Sequence, residues 1–335
     1  MQQELLSQLA NFSKGVLKYH HTTKEIPQTP FTEFYRDGST TVQHYTGDGP
    51  PLLIVPSLVN THAIMDLHPE KSFVKFVQEQ GFNVFLINWG TPQSAEKDFG
   101  INDYLSRLID IQKQVRTKTN QLPHVAGYCM GGTLSLMMAS ATPDIVNTLT
   151  LLATPWNFHI DAFDFLQNPD LVALLLEKAG AVADTVPIDL LSMLFFYLNP
   201  FAAFNKFQSF AKMDENSLKA ETFIAVEDWL NQGVPLATTV AVETFLKWYG
   251  KNQLHAKAWT YEDNIIDVQN VAAPTLLVQP LKDQIVPKES ALCLADEIAD
   301  VKTLIPNTGH LGLMAGTQSK EEIWHPITEF LQSNS

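Results

Sequence analysis

The stretch Leu122–Pro123–His124–Val125–Ala126–Gly127–Tyr128–Cys129–Met130–Gly131–Gly132 constrains this chain more than any other. It joins a short apolar run to a turn flanked by glycines, and the apolar run Thr133–Ala141 follows, so it predicts a buried strand, a sharp turn and a helix. Gly127–Tyr128–Cys129–Met130–Gly131 has the spacing of a nucleophile elbow, G-x-S-x-G, with cysteine in place of serine. An elbow holds its central residue in a strained backbone conformation. Small residues two before and two after it let strand and helix approach closely enough to sustain that strain. Cys129 is therefore expected at a helix N-terminus, where free N–H groups and the helix dipole favour a thiolate and a developing oxyanion. The bland alternative is a buried structural cysteine beside a glycine-rich turn.

The rest of the chain supplies the setting. Leu5–Lys18 has the apolar spacing of an amphipathic helix, and Thr40–Tyr45 alternates like an edge strand. Pro51–Pro56 reads as a buried strand that opens into the loop Ser57–Asp66. Lys71–Gln80 reads as a helix stopped by Gly81, Phe82–Trp89 as a strand, Asn102–Thr119 as a long helix, and Asn147–Ala153 as another buried strand. Regular alternation of strand and helix through Pro51–Ala153 implies a mostly parallel, doubly wound sheet with right-handed crossovers. Pro155–Asp267 departs from that rhythm. It shows no clear strand, and helical periodicities run through Phe163–Ala179, Ile188–Tyr197, Leu218–Asn231 and Ala237–Lys251. It also gathers Phe195, Phe196, Phe201, Phe204, Phe207, Phe210, Trp229, Trp248 and Tyr249. We read it as a helical cap inserted over the nucleophile, most of whose aromatics bury the cap's own core. Alternation resumes with a strand at Ala273–Pro280, a helix at Lys288–Ala299, a strand at Lys302–Ile305 and a closing helix at Glu321–Leu331. The predicted organisation is residues 1–50 as an N-terminal helix and edge strand, 51–154 with 268–335 as an α/β core, and 155–267 as the cap.

Composition excludes several classes. A hydrophobic share of 45% is ample for a large core, and a net charge of −14 argues against nucleic acid and against an electrostatic hold on anionic membranes. Two cysteines, Cys129 and Cys293, make no disulfide framework and fit a reducing compartment. The N-terminal residues do not read as a signal peptide, and the longest uncharged apolar stretch, Leu190–Asn205, is too short to span a bilayer. The expected location is the cytoplasm.

A nucleophilic cysteine needs a base and an orienting acid, and after an elbow they follow in the order acid, then histidine. Asp283 lies just past the predicted strand at Thr275–Pro280, and His310 follows the last strand within Asn307–Thr308–Gly309–His310–Leu311–Gly312. Both fall at carboxyl ends of strands, where open α/β sheets place their sites. Met130 N–H is the expected first oxyanion donor. The second comes from the loop after Pro56, from Leu58, Val59 or Asn60, with Val59 the choice made here. His62 is the best second-tier substrate contact, although a plain structural role outweighs it, and Cys293 reads as core. The ten histidines and two cysteines show no metal-ligand spacing, and neither a P-loop nor a G-x-G-x-x-G is present, so neither a metal nor a nucleotide cofactor is expected. A thiolate attacks thioesters readily, and the acyl-enzyme it forms is itself a thioester, nearly isoenergetic with the substrate. The cysteine therefore favours acyl transfer over hydrolysis.

At these residues the chain resembles the polyhydroxyalkanoate synthase family, in particular its shorter, class III-like members. The resemblance spans most of Pro51–Gly316. It rests on Pro56–Asn60 with Met65–Pro69, Gly81–Gly90, the cysteine box Gly127–Gly132, Asp283–Pro287 and Gly309–Gly312; Glu227–Pro235 also looks like a segment of short synthase-like proteins. Two features depart from the family: the segment before the core strand is far shorter than in the long synthases, and Asn307–Thr308–Gly309–His310 stands where two glycines often precede the histidine. The resemblance implies an α/β-hydrolase fold, with Cys129 carrying the growing chain, His310 as general base and Asp283 as its partner. It implies 3-hydroxyacyl-CoA as substrate and a polyester chain as product. It also implies action at the surface of intracellular polymer granules and a possible second synthase subunit; a homodimer is expected. The open alternatives are a cysteine hydrolase (a polyester depolymerase, an acyl-CoA thioesterase or a relative of dienelactone hydrolase) and a granule-associated relative without turnover.

Overall fold

The computed structural model describes residues 2–22, 26–163, 168–191, 193 and 202–335. The expected helix over Ile188–Tyr197 and the apolar surface at Leu190–Phe204 lie largely outside the described residues, as do Phe195, Phe196 and Phe201.

Eight strands form one sheet: β1 (Thr32–Asp37), β2 (Thr40–Tyr45), β3 (Pro51–Val55), β4 (Asn83–Asn88), β5 (His124–Tyr128), β6 (Leu149–Leu152), β7 (Thr275–Val278) and β8 (Val301–Leu304). Their spatial order is β1-β2-β4-β3-β5-β6-β7-β8. From β4 through β8 every pairing is parallel, and β1 and β2 add an antiparallel margin. β3, β5, β6 and β7 are buried along their whole length, which explains their near-continuous apolar sequence. One expectation is corrected here: β2 is not the edge. β1 covers it, and the exposed, charged sequence Thr32–Asp37 carries no hydrophobic alternation that would mark a strand.

Helix α1 (Gln2–His21) precedes the sheet. On one face of the sheet, α3 (Ile101–Thr119) and α4 (Met130–Ala141) pack into a core with Leu53, Phe85, Val125 and Leu151; on the other, α2 (Phe73–Glu79) and the C-terminal helix His325–Gln332 pack with Leu52, Ile54, Val84 and Val278. The region expected to be a cap is mostly helical: Pro169–Ala183, Ala202–Phe210, Leu218–Asn231 and Thr238–Glu243, the last running into a wider-wound turn, Thr244–Gly250. It also contains two minimal strand pairs, Thr185–Val186 with Leu236–Ala237 and Thr260–Tyr261 with Asn264–Ile265, too short to leave a periodic signal. The helix expected over Lys288–Ala299 is broken at Cys293 into Lys288–Leu292 and Leu294–Glu297.

Three consecutive residues of Leu218–Asn231 fix this region, the first to its own helix Ala202–Phe210 and the other two to the rest of the molecule. Glu227 pairs with Lys206 at 2.7 Å, Asp228 accepts a hydrogen bond from the Tyr19 hydroxyl at 2.6 Å, and Trp229 Nε1 donates to Thr61 O at 2.8 Å. The last bond ties the helix to the loop that follows β3.

Candidate active site

β5 ends at Tyr128 and α4 begins at Met130, so the whole reversal falls on Cys129, with φ 54° and ψ −124°. A side chain rarely adopts positive φ, and such strain persists only where the surroundings enforce it. They do here. The Cys129 N–H extends the sheet by donating to Leu152 O at 2.8 Å, while its carbonyl accepts from Gly132 N and Thr133 N at 2.9 and 3.2 Å and starts the helix. Gly131 and Gly132 are required by close packing. A Cβ on Gly131 would lie 2.2 Å from Val55 O and 2.4 Å from Pro56 O, and one on Gly132 would lie 2.0 Å from Thr154 Oγ1. A Cβ on Gly127 would lie 2.5 Å from Gly132 Cα. The three glycines thus let α4 sit against the ends of β3 and β5, leaving the Cys129 side chain half-buried at the helix start.

The structure brings Asp283 and His310 to this point. Asp283, itself buried in the loop that follows β7, has its Oδ1 accept from Ile285 N and Val286 N at 2.8 and 2.9 Å. Its second oxygen, Oδ2, lies 2.7 Å from His310 Nδ1. His310 follows β8 and also hydrogen-bonds the Cys129 side chain. Burial works against its charged form, but the negative charges of Cys129 and Asp283 and the hydrogen bonds to both push His310 up to about 10. The group facing Cys129 is thus held as a proton carrier. The three side chains come from three separate strand ends and converge with His310 between Cys129 and Asp283.

Two tyrosines at the site were not singled out from the sequence. Tyr128 packs its ring 5.0 Å from that of His310, and its hydroxyl points to His310 O at 3.4 Å. Burial first, then the charges of Cys129 and Asp283, hold Tyr128 far above the usual phenol range. Tyr249 belongs to the cap at Thr244–Gly250; burial raises its pKa, and a negative charge on Cys129 would raise it further. Phe158, Phe163 and Phe245 pack around the Tyr249 ring at 4.8, 5.2 and 5.4 Å and fix its place within the cap's aromatic core. Tyr249 was legible only as one of many cap aromatics; its nearness to Cys129 is a tertiary fact.

The expected oxyanion donors differ in state. Met130 N is the first position of α4, where an N–H has no acceptor inside the helix. Val59 N–H donates to Ser57 Oγ at 3.2 Å, so Ser57 must release it before an oxyanion takes its place. His62 turns inward: its Nε2 lies 3.0 Å from Gln43 Nε2, and burial pushes it down to about 4 against the charge of Asp66. It serves the core. Cys293 is no second nucleophile, since burial and then Glu297 push its thiol up to about 12.

A parallel sheet with an elbow at β5, and site residues following β7 and β8, defines a class. The family model described as the alpha/beta hydrolase fold matches residues 50–317, and the chain belongs to that family. Within it, the chain is similar to the poly(3-hydroxyalkanoate) polymerase subunits PhaC of Haloarcula marismortui (29% identical, covering 93% of this chain and 69% of that one) and Haloferax mediterranei (28%, covering 100% and 70%). The subunit of the same name from Thiocystis violacea is 28% identical over 85% of this chain and 81% of its own. Among solved structures, the monoacylglycerol lipase of Paleococcus ferrophilus superposes with a TM-score of 0.56 at 13% identity, covering 88% of this chain and 99% of its own. The esterase of Exiguobacterium antarcticum gives 0.55 at 14%, covering 88% and 96%. At such identities those likenesses are to the fold. Among the described residues, no helix is long and apolar enough to cross a membrane.

Proposed function

We propose that this protein is an acyltransferase that polymerises 3-hydroxyacyl-CoA thioesters into polyhydroxyalkanoate, with Cys129 carrying the acyl group and His310 and Asp283 completing a catalytic triad. The observation that carries the chemistry is the hydrogen-bonded line Cys129–His310–Asp283 at an elbow whose nucleophile is a thiol. The substrate class comes from the relatives named above, which span most of the chain.

In the first half-reaction the Cys129 sulfur attacks the thioester carbonyl, and the oxyanion forms beside the Met130 N–H. The carbon–sulfur bond to CoA then breaks, and the departing thiolate takes the proton held by His310. The neutral imidazole next accepts the proton of a 3-hydroxyl group, which attacks the Cys129 thioester. An ester forms, and the cysteine sulfur leaves beside the re-formed imidazolium. Asp283 fixes the His310 tautomer throughout, because its Oδ2 accepts the hydrogen bond that Nδ1–H donates. Tyr249, held by Phe158, Phe163 and Phe245, is the cap aromatic whose charge environment includes Cys129, and its ring offers apolar surface to an acyl chain there. A cytoplasmic location at the surface of polymer granules, assembly as a homodimer or with a second synthase subunit, and the absence of any cofactor in the reaction belong to the same reading.

The test is incubation of purified protein with 3-hydroxybutyryl-CoA, following CoA release while fractionating the acyl product. Release accompanied by an oligomeric or insoluble ester, abolished by Cys129→Ala, is the expected outcome. Release with only free 3-hydroxybutyrate would make the protein a thioesterase and overturn the transfer step.

A further inference from the structure

Behind the site, the break in the helix at Cys293 meets the turn that follows Thr244–Gly250. There His255, Cys293 and Glu297 place one nitrogen, one sulfur and one carboxylate oxygen within 4.8 Å of one another. Cys293 and Glu297 are four residues apart across a helical turn, and His255 reaches them from 38 positions earlier in the sequence, a separation no ligand-spacing motif covers. His255 Nδ1 lies 3.2 Å from Glu297 Oε1. That nitrogen is shut off from solvent yet makes no aligned hydrogen bond. A buried ring nitrogen without a partner, pressed against a carboxylate and a thiol, is what a ligand set looks like before its ion arrives.

We propose that His255, Cys293 and Glu297 form a zinc site that pins the cap to the core. A tetrahedral zinc with nitrogen, sulfur and oxygen ligands places them about 3.3–3.7 Å apart, so the His255–Glu297 pair, at 3.2 Å, is close to that spacing and the sulfur, within 4.8 Å, needs a shift of at most about 1.5 Å. A thiolate and an imidazole select a borderline-soft ion over magnesium or calcium. Cys293 loses its thiol proton to solvent on binding. The fourth position is left to water, and the partial exposure of His255 (34%) and Glu297 (20%) gives the ion a route in. The site sits where three segments converge. Asn157 N and Trp156 N both donate to Ser290 O, at 2.9 and 3.2 Å, and Cys293 Sγ donates to the same carbonyl at 3.3 Å. Asn252, three residues before His255, donates to Asn157 Oδ1 at 2.8 Å. A metal here would hold the start of the cap, its end and the helix after β7 together, away from the reacting atoms.

The experiment uses the full-length Cys129→Ser protein, which retains a single thiol. Cobalt(II) titration of this protein is expected to give a thiolate-to-cobalt charge-transfer band and the intense visible bands of a four-coordinate ion, saturating at one equivalent. Zinc should bleach both. Adding Cys293→Ser should remove the charge-transfer band, and His255→Gln should weaken zinc, measured by chelator competition, at least about 100-fold, beyond the scale on which outer-shell changes act. Zinc should also raise the unfolding temperature of Cys129→Ser and leave that of the His255→Gln variant unmoved. No charge-transfer band at millimolar cobalt, or zinc affinity unchanged by His255→Gln, overturns the proposal. Because His255 lies in a turn, that variant keeps the test intact even if Cys293→Ser fails to fold.

Discussion

Replacing Asp283 by asparagine isolates what the carboxylate does for His310. Asp283 Oδ1 is fixed by two backbone donors, Ile285 N and Val286 N, at 2.8 and 2.9 Å. In the variant the amide oxygen must stay there, because an NH₂ group facing two N–H groups would leave all three unpaired, at about 1–3 kcal/mol for each buried donor. The NH₂ group then occupies the Oδ2 position, 2.7 Å from His310 Nδ1, and donates to it. That reverses the tautomer: the imidazole proton moves to Nε2, and the ring can no longer accept a proton on the side facing Cys129. The fold should be nearly unaffected, since both backbone hydrogen bonds survive. Turnover should fall by about 10³–10⁴, the loss that a wrong histidine tautomer produces in a related catalytic arrangement, equivalent to about 4–5.5 kcal/mol of transition-state stabilisation. Removing the charge also lowers the histidine pKa from about 10, so the alkaline limb of the rate profile should move to lower pH. The assay is CoA release from 3-hydroxybutyryl-CoA across pH, with urea unfolding in parallel. A variant that folds normally and keeps its turnover within tenfold of the parent would refute the argument, because Asp283 would then be a structural residue.

Acid should destabilise the protein through His124, which is fully buried, bonds Thr148 Oγ1 through Nδ1 at 2.8 Å, and is pushed down to about 4 by burial. The unfolded chain binds a proton near pH 6.5 and the folded chain does not, so stability is present above that value and is lost as pH falls through the window from 6.5 to 4, by about 2 kcal/mol at pH 5 from this residue. Urea midpoints at pH 8 and pH 5 should show that slope, and His124→Gln should flatten it. Gly131→Ala should cost about 1–3 kcal/mol, at the upper end because the new methyl group meets two backbone carbonyls, Val55 O and Pro56 O, and not a side chain that can rotate away. A urea unfolding curve measures it, and a loss below 1 kcal/mol would show that the elbow has slack.

The α/β alternation, the elbow and the residues after the last two long strands were readable from the sequence because each rests on local rules. Strands buried on both faces must be apolar along their whole length, as β3, β5, β6 and β7 are, and a turn at positive φ with helix and strand pressed together must be lined by glycine, as at Gly127, Gly131 and Gly132. Other features left no local mark. β1 is exposed and charged, so nothing in its composition separates it from a loop until β2 pairs with it. Glu227, Asp228 and Trp229 were visible only as a familiar-looking segment; that each of them holds a different element follows from where Lys206, Tyr19 and Thr61 arrive in space. Tyr249 was one aromatic among many until the fold of the cap brought it near Cys129. Nothing in the sequence relates His255 to Cys293, because helix spacing connects residues three or four apart, whereas contacts across 38 positions are chosen by packing. The sequence by itself determined the chemistry on offer, a thiol, an imidazole and a carboxylate at strand ends. Tertiary structure alone decided their distances and hydrogen-bond partners and the walls around them, since those depend on how the cap and the sheet settle against each other.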